Sequence, residues 1–126
     1  MSKYREFTLS TGTKILLGKN AENNDELVSE FKGKENLILH TAKPGSPFCV
    51  ILSEGRPSKE DIKESSVICA AKSQDWRDNQ KDVEIHLFSG KEVKKPPFSK
   101  KGSWIIRSKP KLIKAKKTEI EKWIKK

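Results

Sequence analysis

Short apolar runs separated by turn residues constrain the fold of this chain more than any other feature of its sequence. Leu37–Leu39 and Phe48–Leu52 are each too short for a helix and are bounded by polar residues or by the turn at Pro44–Ser46. Val83–Phe88 alternates apolar with polar residues over most of its length, which is the period of a strand buried on one face. These runs predict β-strands, so a purely helical fold is excluded.

The other apolar residues of the first half predict a hairpin and two helices around these strands. Glu6–Ser10 and Thr13–Leu17 flank a Thr-Gly turn, which is typical of a β-hairpin. Asn23, followed by an acidic residue at the capping-box position, predicts the start of a first helix, and Gly33 predicts its end. Ser58 predicts the start of a second helix.

The last third of the chain adds two short strands and a helix to this pattern. Trp104–Ile106 and Leu112–Ile113 predict the strands, and Thr118–Glu121 predicts a capping box that opens a C-terminal helix. The apolar stripe of this helix consists of Ile120, Trp123 and Ile124. We therefore predict one α+β domain over residues 1–126, with a mostly antiparallel sheet, two helices packed on it and a C-terminal amphipathic helix.

The net charge of +10 is confined to the C-terminal segment 91–126. This segment holds 14 of the 27 lysines and arginines but only 3 of the 17 acids, so the first 90 residues are close to neutral. A basic segment that also carries tryptophan and isoleucine is typical of folded structure, and it predicts a polyanionic partner. Lysine outnumbers arginine there, which favours contacts to phosphates over reading of bases. The candidate RNA-binding residues of the segment are Lys94, Lys95, Lys100, Lys101, Arg107, Lys109, Lys111 and Lys114.

Patterns for catalysis and metal binding are missing from the sequence. It has no glycine-rich phosphate loop, no HExxH motif and no nucleophile elbow. Neither His40 nor His86 has a partner at a catalytic spacing, and Cys49 and Cys69 lack the further ligands that zinc needs. We predict two buried free thiols, no cofactor and no enzymatic activity. Because the sequence has no signal peptide and no apolar run long enough to span a bilayer, we expect a cytoplasmic protein.

A series of short motifs follows in a fixed order along the chain: Gly18–Asn20, Asn24–Asp25, His40, Pro44–Ser46, Phe48–Ile51, Ile68–Ser73, Val83–Phe88, Val93–Pro96 and Gly102. This order resembles the NFACT-R domain, the RNA-binding module of ribosome quality-control factors of the RqcH and NEMF type, which also occurs as a free-standing protein. The resemblance implies RNA binding without catalysis. Ribosome-linked members have an aspartate and a tryptophan where this chain has Asn36 and Ile38, so the contacts of those two groups are expected to be lost.

By analogy with the family, the turn residues form a second and more discriminating RNA pocket. Its predicted members are Lys19, Asn20, His40, Lys43 and Ser46. Four aromatic rings are further candidates, for stacking on unpaired bases. We expect Trp104 and Trp123 to pack in the core, because both lie among isoleucines, whereas Trp76 and Phe98 are expected to be exposed.

Charge and resemblance together favour a non-catalytic RNA-binding adaptor that contacts structured RNA, tRNA or rRNA, through its basic C-terminal third. Related domains are attached to tRNA thiouridine synthases, so the resemblance leaves open whether such an adaptor acts on the ribosome or with a tRNA-modifying enzyme. The alternative is a protein-interaction module that docks its C-terminal helix onto a ribosomal protein or a tRNA thiouridine synthase. Association of this helix with membranes is not expected, since its apolar stripe is short.

Overall fold

The computed structural model describes residues 3–43, 45–53, 55–95, 104–107 and 109–126. The strands are β1 (Arg5–Thr8), β2 (Lys14–Leu17), β3 (Leu37–Thr41), β4 (Cys49–Leu52), β5 (Val83–Ser89), β6 (Val93–Lys94), β7 (Ile105–Ile106) and β8 (Lys111–Ala115). The helices are α1 (Ala21–Phe31), α2 (Lys59–Ala71), α3 (Gln74–Asn79) and α4 (Lys117–Ile124). A 3₁₀ turn at Gly90–Glu92 joins β5 to β6. The predicted α+β fold is therefore confirmed.

Six of the strands form one antiparallel sheet in the order β1-β2-β4-β3-β5-β8. β1 and β8 are its two edges, and at the usual strand spacing they lie roughly 24 Å apart. β6 and β7 form a separate small hairpin. The predicted N-terminal hairpin, central strands and C-terminal strands are all present.

Both faces of the sheet are covered, each by its own apolar cluster. On the face that we call the α2 face, Ile68 of α2 and Ile120 of α4 pack in one cluster with Ile85 of the sheet. On the opposite face, the α1 face, Leu27 of α1 packs in the second cluster with Phe88. Burial from two sides explains why the central strands read as nearly continuous apolar runs.

Helix α1 begins three residues earlier than predicted. Its N-cap is Asn20, whose side-chain oxygen accepts a hydrogen bond of 2.9 Å from the backbone N–H of Asn23. Asn23, the predicted cap, lies inside the first turn and accepts from the backbone N–H of Lys19. An asparagine at either position can cap a helix, so the sequence alone does not distinguish them. Glu26, three residues after Asn23, matches the pattern of a capping box, but Asn23 is not the N-cap. The predicted end is confirmed, since Gly33 follows the helix with a φ of +84°.

Helix α4 begins at Lys117, and the predicted capping box at Thr118 is wrong. Its N-cap residue, Lys116, makes no side-chain capping bond. The carboxylate of Asp82, 35 residues away, accepts a 2.8 Å hydrogen bond from the backbone N–H of Lys117 instead. A carboxylate at this position also interacts favourably with the helix dipole. The local sequence could not indicate this cap, because its partner comes from the segment before β5.

The sequence did not predict α3, and this helix decides the position of a tryptophan. The hydroxyl of Ser73 accepts a hydrogen bond from the backbone N–H of Trp76 and so caps α3. Trp76 points into the α2-face cluster and is only 7% exposed, so the expectation of an exposed ring is wrong. Trp104 and Trp123 pack against the α1-face and α2-face clusters respectively, as predicted.

The two cysteines are buried free thiols, as predicted. Burial raises the pKa of Cys69 to about 12 and the pKa of Cys49 well above its usual value, so neither thiol is a nucleophile at neutral pH. Phe98, the candidate RNA-binding residues Lys100 and Lys101, and Gly102 of the ordered motifs lie outside the described residues.

Candidate nucleic-acid interface

Two of the predicted RNA-binding lysines lie on β8, the edge strand that pairs only with β5. Lys111 is the register partner of Leu87 and lies on the α2 face, whereas Lys114 is the partner of Glu84 and lies on the α1 face. Both lysines are exposed. One edge of the sheet therefore presents cations on both of its sides.

Three further predicted cations lie in the part of the chain that precedes β8. Lys94 lies on β6 opposite Ile105, Arg107 follows β7, and Lys109 lies just before β8. Among the described residues, none of these exposed side chains has an acidic partner within ion-pair distance. We call this set of five cations the basic edge: Lys94, Arg107, Lys109, Lys111 and Lys114.

Two other predicted RNA-binding lysines are engaged in ion pairs. Lys95 Nζ lies 3.1 Å from Asp25 Oδ1, and the same oxygen accepts a 3.0 Å hydrogen bond from Trp104 Nε1. The ammonium group of Lys95 also lies 5.3 Å from the centre of the Trp104 ring, so Asp25 ties the small hairpin to α1. Lys43 Nζ lies 3.6 Å from Asp75, but its side chain is 66% exposed and remains accessible.

The turn residues of the predicted second pocket come together around the buried amide of Asn24. Its Oδ1 accepts from the backbone N–H of Phe48 at 3.0 Å, and its Nδ2 donates to the carbonyl of Ser46 at 3.3 Å. That carbonyl also lies 3.2 Å from Nε2 of His40, and the hydroxyl of Thr41 donates to the hydroxyl of Ser46. Ser46 and His40 thus hold the β3–β4 turn against α1.

The remaining two pocket residues flank the start of α1. Asn20 uses its side-chain oxygen for the α1 cap. Lys19 keeps an exposed ammonium group. Gly18, just before them, lies so close to Asn24 that a Cβ there would be 1.8 Å from its Oδ1. The structure therefore joins Asn20, His40 and Ser46 through Asn24, whereas the ammonium group of Lys43 pairs with Asp75 of α3.

His40 is a neutral ring at physiological pH. Burial lowers its pKa to about 4, outweighing the backbone hydrogen bonds of Ser46 and Thr41 that act in the other direction. Its ring stacks on Phe48 with centroids 4.2 Å apart and an interplanar angle of 22°. His40 therefore cannot contribute a positive charge to phosphate binding at neutral pH.

Part of the α1 face is left open beside the basic edge. Strand register places His40, His86 and Leu112 side by side in one row, and Glu84 beside Lys114 in the next. His40 and His86 are half-buried, and Leu112 is 54% exposed. We call this surface the open strip: His40, His86, Leu112, Glu84 and Lys114.

Sequence reasoning missed the roles of Asn24 and Asp25 and placed both only at a helix start. Their partners lie far along the chain, 22 residues away for Ser46 and 79 for Trp104, so no local pattern reveals them. The ordered motif containing both residues was the one signal that pointed to them. The open strip was also missed, because alternation identifies the faces of a strand but not which part a helix leaves uncovered.

Within the described part of the chain, no group of three or more His, Cys, Asp and Glu side chains is placed to hold a metal ion. Among the described helices, none has both the length and the apolar character needed to cross a bilayer.

Helices on both faces of an antiparallel sheet, together with a basic edge, define a small basic α+β domain. The family model of the NFACT protein RNA binding domain matches residues 3–108 of the chain. The chain therefore belongs to this family, as the ordered motifs predicted.

The chain is also similar to parts of two longer proteins. The archaeal Rqc2 homolog aRqcH of Methanocaldococcus jannaschii is 22% identical over 107 residues, which cover 81% of this chain and 16% of that protein. The C-terminal part of the fibronectin/fibrinogen-binding protein from Streptococcus suis has the same fold, with a TM-score of 0.82 and 25% identity. That similarity covers 97% of this chain and 49% of the streptococcal chain, so the domain corresponds to one part of each longer protein.

Proposed function

We propose that this domain is a non-catalytic adaptor that binds structured RNA, tRNA or rRNA, through the basic edge. The observation that carries the proposal is the group of five exposed cations on β8 and on the small hairpin and segment that precede it, in a chain that belongs to an RNA-binding family. Clustered cations of this kind bind the phosphate backbone and release its counterions.

The arrangement of the cations favours a folded RNA over a base-by-base reading of sequence. Lys111 and Lys114 are three residues apart on one strand, about 10 Å along it, and their side chains leave on opposite faces. Such a pair can contact phosphates on either side of a narrow RNA feature. Double-stranded RNA is recognised mostly through its shape, its phosphates and its 2′-hydroxyls.

The kinship with an archaeal Rqc2 homologue supports a link to ribosome quality control. We therefore place the ribosome among the proposed partners and the cytoplasm as the site of action. No residue of the described structure favours the other context that the resemblance implied, a tRNA-modifying enzyme.

The rival role, docking of α4 onto a protein, has less support. Ile120 of α4 is fully buried, and Trp123 packs edge-to-face on Phe7 with ring centroids 5.8 Å apart. Of the predicted stripe, only Ile124, 48% exposed, is available to a partner. Docking through this stripe would require α4 to leave the α2 face.

A charge-matched pair of triple variants tests the proposal. Replacing Lys94, Lys109 and Lys111 by glutamine removes three charges from the basic edge. Replacing Arg5, Lys14 and Lys59 by glutamine removes three exposed charges elsewhere, two on β1 and β2 at the opposite edge and one at the start of α2. Affinities for a tRNA and for an rRNA stem–loop are measured by fluorescence anisotropy at one salt concentration.

We expect the basic-edge variant to bind RNA at least about tenfold more weakly, because each lost ion contact costs roughly 0.5 kcal/mol or more. The opposite-edge variant should stay within about twofold of wild type. Equal losses in the two variants would mean that net charge, and not the basic edge, determines binding.

A further inference from the structure

We propose that the open strip binds one unpaired RNA base, stacked on His86 and Leu112, while Lys114 holds the adjoining phosphate. The proposal rests on the RNA-binding function proposed above. It adds recognition of a single unstacked nucleotide, which distinguishes a loop or bulge from a regular duplex.

The geometry of the strip places an aromatic ring beside an exposed aliphatic side chain. His86 and Leu112 are directly opposite each other on adjacent antiparallel strands, so their Cβ atoms lie about 5 Å apart. Leu112 is 54% exposed, although it lies beside the ring of His86. Bases splayed out of RNA stack on aromatic side chains, histidine included.

A rigid layer supports this surface. His40 lies next to His86 in the same row and stacks on Phe48 at 4.2 Å. Phe48 is held through its backbone by the buried amide of Asn24. Because these groups are already fixed by the fold, little conformational entropy is lost there when a base binds.

The charges around the strip identify the ligand as RNA rather than an apolar peptide. Lys114 is exposed in the neighbouring row of the same face, whereas Lys111 on the same strand projects from the α2 face. An ammonium group beside a half-apolar platform complements a nucleotide, which combines a π-face with a phosphate. Stacking surfaces inside positively charged grooves are the usual design for unpaired nucleic acid.

Glu84 indicates which base fits. Its exposed carboxylate is the register partner of Lys114, and among the described residues it forms no ion pair. A carboxylate repels phosphate, so a bound chain has to pass on the Lys114 side with the base edge toward Glu84. Carboxylates accept hydrogen bonds from base N–H groups, and guanine presents two such donors side by side on its pairing edge. We therefore expect guanine to be preferred over adenine.

The test uses the full chain and two fluorescein-labelled RNA stem–loops. One carries a single bulged guanine, and in the other the same guanine is paired with an added cytosine. Wild type should bind the bulged RNA roughly 5- to 100-fold more tightly, the value of one stacked base. His86→Ala and Leu112→Gln should each remove most of this preference and leave affinity for the paired RNA within about twofold.

Two conservative variants separate stacking from a general effect on the fold. His86→Phe keeps a ring and should keep the preference for the bulge. Glu84→Gln should reduce the preference for a bulged guanine over a bulged adenine without weakening the paired RNA. Thermal unfolding of each variant checks that the sheet is intact.

Three other outcomes would each overturn the proposal. If wild type binds both RNAs equally, the open strip is not a base site, while the basic edge still accounts for RNA binding. If His86→Ala and Leu112→Gln weaken both RNAs to the same extent, the strip contributes no base recognition. If wild type binds neither RNA, the proposed function fails as well.

Discussion

A single buried amide, that of Asn24, ties together the segments from which the candidate site is built. Its two polar atoms bond to Phe48 and Ser46 at the end of the β3–β4 turn, and its position on α1 fixes that turn against the helix. The same amide fills the space beside Gly18. The glycine of the Gly18–Asn20 motif is therefore required for a steric reason: the side chain of Asn24 occupies the space that a side chain at position 18 would need.

Gly18→Ala tests this packing. A Cβ at this position would meet Asn24 Oδ1 at 1.8 Å, so the amide has to move and lose its hydrogen bonds. We expect the free energy of unfolding to fall by about 1–3 kcal/mol, measured by urea denaturation followed by tryptophan fluorescence. Gly55→Ala is the matched control, since a Cβ there meets nothing within 4 Å, and it should change stability by less than about 0.5 kcal/mol. Equal midpoints for the two variants would contradict the role of Asn24.

The depressed pKa of His40 predicts a dependence of stability on pH. Between its ordinary pKa of 6.5 and its folded pKa of about 4, the unfolded chain binds a proton that the folded chain does not. Stability contributed by neutral His40 is therefore present above pH 6.5 and is lost as the pH falls toward 4, by up to about 3 kcal/mol.

Urea midpoints at about pH 7 and about pH 4.5 measure this loss. His40→Gln, which cannot titrate, should lose less stability than wild type over the same interval. His86, the cross-strand neighbour of His40, is unchanged in both proteins, so the comparison isolates the substitution at position 40. Parallel losses in the two proteins would show that His40 does not drive the effect.

At the level of helices and strands, periodicity predicted the type of nearly every element, and contacts distant in sequence determined the ends. The strand at Val83–Phe88 and the helix after Ser58 were predictable because their apolar spacing is local. The start of α4 was not, because its cap comes from Asp82. The lysines on β8 could be assigned to the candidate site because the basic composition of the C-terminal segment is visible in the sequence. The open strip could not be predicted, because the exposure of its residues depends on which part of the sheet α1 covers.

Helix α4 offers an internal comparison between a buried and an exposed isoleucine. Ile120 is fully buried against the α2 face, and Ile124, one turn later, is 48% exposed. Ile120→Ala should lower the free energy of unfolding by about 2–5 kcal/mol, because it leaves a cavity in the core, while Ile124→Ala should cost less than about 0.5 kcal/mol. Urea denaturation of both variants measures the difference. A large loss for Ile124→Ala instead would place that side chain in an interface.

Over the whole molecule, the excess of positive charge lies in the C-terminal segment 91–126, which supplies all five cations of the basic edge. The other sheet edge, β1, carries both signs, with Arg5 next to Glu6 and Glu6 paired to Lys14 at 3.2 Å. Lysines on an edge strand also prevent pairing with other chains, which is the simplest alternative explanation for β8. Edge protection alone does not account for Lys94, Arg107 and Lys109, which lie outside β8.

The salt dependence of RNA affinity separates these two explanations. If about six phosphates are neutralised, the slope of the logarithm of the association constant against the logarithm of salt concentration is about −4 to −5. The variant lacking Lys94, Lys109 and Lys111 should lose about one unit of slope for each lysine, and the charge-matched variant at the opposite edge should keep the wild-type slope. Anisotropy titrations from about 50 to 300 mM salt measure all three slopes. A wild-type slope shallower than about −2 would mean that these cations protect an edge and do not bind RNA.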